Sequence, residues 1–147
     1  MSTGNTFAPK PGRFGVQPNL LAGRCAAAIG NTTTTTYNFG GHPSISVVSK
    51  IVVSAGTVPV STGGTILAVI QKYDASADAA VALTAATIDL EALTAHEGTA
   101  VALLTTLTDA QKTLDVGDTL RMAVTTTSTV TTAAVDLMVN FELLVQE

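Results

Sequence analysis

The sequence predicts an all-β protein, an antiparallel β-sandwich of jelly-roll type with an extended N-terminal arm. Three observations carry this prediction. Threonine recurs in almost every segment, as the run Thr32 to Thr36 and again as Thr125, Thr126 and Thr127. A β-branched side chain favours extended backbone and disfavours helix, and the threonine hydroxyl keeps an exposed strand face wet without charge. Secondly, apolar residues alternate with polar ones over the last part of the chain, and period two is the signature of a strand with one buried face. Thirdly, glycine, proline and threonine clusters punctuate the chain at short intervals.

In chain order, residues 1–19 hold Pro9, Pro11 and Pro18 with Gly4, Gly12 and Gly15. Proline removes backbone donors and glycine adds freedom, so this stretch is expected as an arm and neither as a central strand nor as a helix. It still carries Phe7, Phe14 and Val16, apolar anchors that a solvated tail would lack. Leu20 to Ile29 fits a short strand or one helical turn, with strand favoured. Thr32 to Phe39 reads as a wet strand or loop closed at Gly40-Gly41. In Ser44 to Ser54, Ile45, Val47, Ile51 and Val53 are expected on one face, with Ser46 and Lys50 on the other.

Gly56 to Gly64 has turn chemistry, and Thr65 to Tyr73 is a further β-rich run broken by Asp74 to Ala80. Two short strands are expected between Ala79 and Leu93, a turn at His96 to Gly98, and an apolar run at Thr99 to Thr106. Thr108 or Asp109 suits a helix N-cap, but Gly117 arrives too soon for more than a turn or two. Leu120, Met122 and Val124 then share a face, as do Val135, Leu137, Val139, Phe141, Leu143 and Val145. About eight strands result, within one sandwich domain at 20–147, a count that suits a jelly-roll or an immunoglobulin-like sandwich.

Composition limits the function classes. Of 147 residues, 46% are hydrophobic and only 12% charged, about half the usual charged share. Much of the surface is therefore expected to face other protein. No apolar run approaches the ~20 residues of a spanning helix, and no signal-peptide pattern opens the chain, so cytosolic synthesis is expected. The net charge of −4 conceals an asymmetry: Lys10, Arg13, Arg24, Lys50 and Lys72 precede the first acid, Asp74, and only Lys112 and Arg121 follow it. Such an arm suits an acidic protein surface. Its few cations, without stacking aromatics, fall short of a nucleic-acid groove.

Chemistry-bearing residues are few. Cys25 stands alone, excluding an intrachain disulfide, and is expected as a small buried side chain among Ala22, Ala26, Ala27 and Ala28. His96 beside Gly98 reads as an exposed turn histidine, and His42 precedes Pro43 where a strand begins. Neither glycine pair has the pattern of a phosphate loop. Asp74 and Asp78 lack calcium-loop spacing, and Asp115 and Asp118 flank Gly117 as turn-closing residues. No catalytic, cofactor or metal site is expected, and the chain reads as a non-enzyme.

The proline- and glycine-rich arm, the threonine- and alanine-rich sandwich and the Gly117-Asp118-Thr119-Leu120-Arg121 turn into a strand resemble the capsid decoration, or cement, proteins of tailed bacteriophages. The resemblance covers the general layout, with its most recognisable stretch at Leu107 to Val124. It implies a trimer, or less often a dimer, on the outside of the phage head, clamping neighbouring major capsid subunits and so located in the virion. The expected partner-binding residues are Phe7, Lys10, Arg13, Phe14 and Arg24, an assignment resting on their chemistry in the arm. A phage head-fibre or tail-associated receptor-binding protein is the alternative. Absence of Trp, with only Tyr37 and Tyr73 to stack on sugars, makes it the weaker one.

Overall fold

A computed structural model describes residues 17–146, as two antiparallel sheets around one core. Eight strands have four or more residues: β1 (Gln17–Arg24), β2 (Thr34–Gly40), β3 (Ser46–Ser54), β5 (Ile66–Asp74), β6 (Ala79–Ala82), β8 (Gly98–Val101), β10 (Thr119–Thr126) and β12 (Met138–Val145). Between them lie the short strands β4 (Val60–Ser61), β7 (Ile88–Asp89), β9 (Thr113–Leu114) and β11 (Val130–Thr132). A 3-10 turn at Leu90–Ala92 and the four-residue helix α1 (Asp109–Lys112) are the only helical elements among the described residues.

The first sheet runs β1-β12-β3-β8, with β9 also on β3, and the second runs β2-β10-β5-β6, with β7 also on β5. A small ribbon, β11-β4, closes one end. The chain is thus an all-β, sandwich-like protein, as the threonine content and period-two patterning predict.

β1 begins at Gln17, so three residues assigned to the arm, Gln17 to Asn19, belong to the sheet. Pro18 is tolerated because β1 lies at the end of the strand order, where a missing N–H need not break a ladder. The rest of the predicted arm lies outside the described residues.

The core forms where the sequence alternates. Leu120, Met122 and Val124 of β10 and Val139, Phe141 and Leu143 of β12 are all buried, against Ile66, Ala68 and Ile70 of β5. Val135 departs from its predicted face: it is half exposed and only bridges Thr57. A larger departure occurs in β3. There Ser46 and Val48 are buried, then Ile51 and Val53, so the inward parity changes midway and Val47 is not a core residue.

The cause is a bulge. Glu142 lies opposite Lys50 but Leu143 lies opposite Val48, leaving Ser49 as the extra residue. Its single hydroxyl proton is shared between the Glu142 carboxylate (2.7 Å) and the Glu142 backbone carbonyl (3.2 Å), the shorter contact being to the carboxylate.

The two sheets meet at one corner through aromatic packing. Phe39 of β2 and Phe141 of β12 lie 5.8 Å apart between ring centroids, tilted by 51°. Gly23 makes the approach possible, since a Cβ there would collide with the Phe39 ring. At the other end, Thr108 caps α1 in a reciprocal capping box with Gln111, as its sequence position predicts.

Candidate functional site

Phe7, Lys10, Arg13 and Phe14 lie outside the described residues. Arg24, grouped with them by sequence, sits at the end of β1 rather than in an arm. Its guanidinium donates to Asp136 Oδ1 at 2.9 Å, both side chains being largely exposed. Asp136 reaches that position from a left-handed backbone turn, φ 51°, just before β12. An exposed pair of this kind contributes at most about 1 kcal/mol, leaving both groups able to exchange partners.

What the structure adds is the surface onto which the first 16 residues lead. β1 is an edge strand, and its outward row contains Leu20, 76% exposed, the most exposed large apolar side chain of the described residues. Leu20 borders a shallow depression of about 140 Å³ lined by Lys50, Val52, Asn140 and Glu142. The register explains the grouping, because Leu20 faces Glu142, which in turn faces Lys50. A sequence signal existed: Leu20 and Leu21 are adjacent, and in a strand one of two neighbours must point outward.

The titratable residues are occupied with the fold. His42 is half-buried; its Nδ1 accepts from the Ser44 amide at 3.1 Å, and its Nε2 lies 2.9 Å from the Asn19 side-chain nitrogen, tying the β2–β3 connection to β1. His96 is an exposed turn residue with φ 63°. Burial pushes the Cys25 thiol up to about 12, which keeps it protonated and poorly nucleophilic at neutral pH. Burial, aided by neighbouring Cys25, also raises Tyr37 to about 12, and its hydroxyl donates to the Ala27 carbonyl. No group of three or more His, Cys, Asp or Glu among the described residues could hold a metal ion.

Sequence reasoning missed one buried pair. Lys72 and Asp118 are both almost wholly inaccessible, with Nζ 3.5 Å from Oδ2. Lys72 also donates to the Thr113 carbonyl at 2.8 Å, while Asp118 accepts from the Ala75 and Asp115 amides at 3.0 Å each. Asp118 therefore closes its turn as predicted, and in addition locks β5, β9 and β10 together. Period-two counting puts this lysine in line with Ile66, Ala68 and Ile70, but the opposite parity, Leu67 and Val69, is equally apolar, so the sequence alone does not mark its row as the buried one.

No family model, curated protein or solved structure matches this chain.

Proposed function

We propose that the chain is a structural virion protein, a capsid decoration or cement protein that binds the outside of a phage head and clamps neighbouring major capsid subunits. The observation that carries this reading is the continuity between a leader and an open edge. The first 16 residues hold Lys10 and Arg13 with no acid, and they run directly into an edge strand that displays Leu20. A segment with two phenylalanines and two cations can spread over a neighbouring subunit and bury a wide, shallow area, which suits permanent binding.

The strand orders support the jelly-roll part of the proposal. β1, β3, β8 and β12 lie in one sheet and β2, β5, β6 and β10 in the other, so consecutive strands mostly cross between sheets, as two wrapped Greek keys require.

The test is co-sedimentation with capsids stripped of decoration protein. The full chain is expected to pellet with them, and Phe7→Ser/Phe14→Ser and Lys10→Glu/Arg13→Glu variants to remain in the supernatant. Variants that saturate the particles like the parent remove the clamp role. A full chain that ignores capsids altogether removes the cement reading.

A further inference from the structure

We infer that the Arg121 guanidinium, fixed on the outer face of the second sheet by Gln71 and Tyr73, receives an Asp or Glu side chain of a partner protein. The five cations of residues 17–146 differ in their company. Arg24, Lys72 and Lys112 each lie within ion-pair distance of an acid, and Lys50 is opposite Glu142 across the β3–β12 ladder. Arg121 has neutral neighbours on both sides of its row, Asn38 on β2 and Gln71 on β5. The rows next to it hold Ala123 with Val69 and Thr119 with Tyr73, equally uncharged. These residues alternate with buried ones along β10 and β5, so they share the outward face with Arg121.

Neutral surroundings do not leave the side chain loose. Its Nε donates to Gln71 Oε1 at 3.1 Å, and the guanidinium carbon lies 4.7 Å from the Tyr73 ring centroid, a cation–π contact. The ring is itself anchored, because the Tyr73 hydroxyl donates to Asp78. Asp78 thus meets the phenol, and no carboxylate of the described residues lies within ion-pair distance of the guanidinium. Among the described residues Nη1 and Nη2 have no hydrogen-bond partner. A planar fork already held by one donor and one face loses little further freedom on binding, and its two remaining nitrogens match the two oxygens of a carboxylate.

Charge selects the occupant. Residues 17–146 hold ten acids and five cations, so the molecule as a whole repels an anion, while the row of Arg121 and the rows beside it carry positive charge alone. A nucleic acid needs several cations to hold successive phosphates, and these rows supply one. A small free acid would fill the fork and leave uncovered the shallow depression of about 240 Å³ that Ala123 and Val69 border in the adjoining row. A protein partner occupies both, its carboxylate on the fork and its neighbouring residues over the uncharged rows. A fixed arginine in a surround that excludes water is where binding energy concentrates in protein interfaces. The fork lies on the opposite sheet from Leu20, so its ligand is independent of what the leader binds.

The experiment follows the Arg121 Nε–Hε resonance of the isotopically labelled full chain by NMR during titration with acetyl-Thr-Glu-Thr-amide and, separately, with acetyl-Thr-Gln-Thr-amide. A saturating shift at Arg121 and Gln71 is expected with the Glu peptide, with a Kd of about 1–10 mM, and binding of the Gln peptide should be about tenfold weaker or less. Arg121→Lys keeps the charge but removes the fork, so the amides of Gln71 and Ala123 should then report binding weakened by about fivefold or more. Lys50→Gln on the opposite sheet should change nothing. The comparison of peptides needs no variant, so it decides the matter even if Arg121→Lys disturbs the sheet. A shift that stays linear to about 50 mM overturns the inference, as do equal responses to the two peptides or undiminished binding by a folded Arg121→Lys. Inorganic phosphate bound more tightly than the Glu peptide also overturns it, by assigning the fork to a phosphoryl group.

Discussion

Asp118 holds three groups at once: the Lys72 ammonium and the amides of Ala75 and Asp115. Asp118→Ala strands a buried cation and two buried donors, so a loss of about 3–5 kcal/mol is expected in urea unfolding. Lys72→Met should cost less, because the carboxylate keeps both amide donors; equal losses would mean that the ion pair, and not the turn, dominates. Cys25 gives a second residue-level test. Its thiol titrates near 9.0 when unfolded but at about 12 in the fold. Between these values the unfolded chain binds fewer protons than the native one, so stability falls as pH rises from 9 towards 12. Tyr37 acts in the same direction from 10.0 upward. In Cys25→Ala the decline in urea midpoint should therefore begin about one pH unit later, and an unchanged onset would assign it to other groups. The sequence reading buries Cys25 among alanines, but in the fold it is only partly buried and Ala22, Ala26, Ala27 and Ala28 are exposed, while its coupling to Tyr37, twelve positions away, has no local signal.

At the scale of elements, β10 and β12 were legible because their alternation is unbroken and each pairs with two neighbours. β3 was only half legible. Its sequence alternates plausibly in either parity, and the bulge at Ser49 is set by the register against β12, a partner more than 90 positions away. The corner between sheets depends likewise on distant residues: Gly23 is open only because Phe39 occupies the space its side chain would take. Gly23→Ala should destabilise the protein by about 1–3 kcal/mol through overpacking. Combining it with Phe39→Leu should recover part of that loss in a double-mutant cycle; strict additivity would show that the clash relaxes through β1 instead. A chain search for turn residues finds Gly40-Gly41 and Gly63-Gly64 at once, but not a glycine whose purpose is room for a ring.

For the molecule as a whole, the sandwich and the leader are separable expectations. A chain lacking residues 1–16 retains all of β1 and should match the parent's thermal midpoint within a few degrees, since the core of Phe141, Ile51 and Met122 is untouched. Deleting through residue 19 also removes Gln17 to Asn19 from the β1–β12 ladder and should lower the midpoint measurably. A midpoint that falls equally in both truncations would mean that the leader packs against the sandwich. Of the predicted contact residues, Arg24 lies among the described ones, and there the strand gives it Asp136 as a partner where sequence grouped it with the arm by charge.

Taken alone, the sequence determined the fold class, because β-branching, two-residue periodicity and turn chemistry are local properties that each short segment expresses by itself. It also determined that little charge covers the surface and that the acids follow the cations along the chain. Only the tertiary structure decided which strands are edges, where the parity of β3 changes, that Lys72 meets Asp118, and that Thr36, Ala123 and Val69 share one outer row. These are consequences of pairing and register, where small free-energy differences between remote segments choose one arrangement. No local pattern encodes that choice.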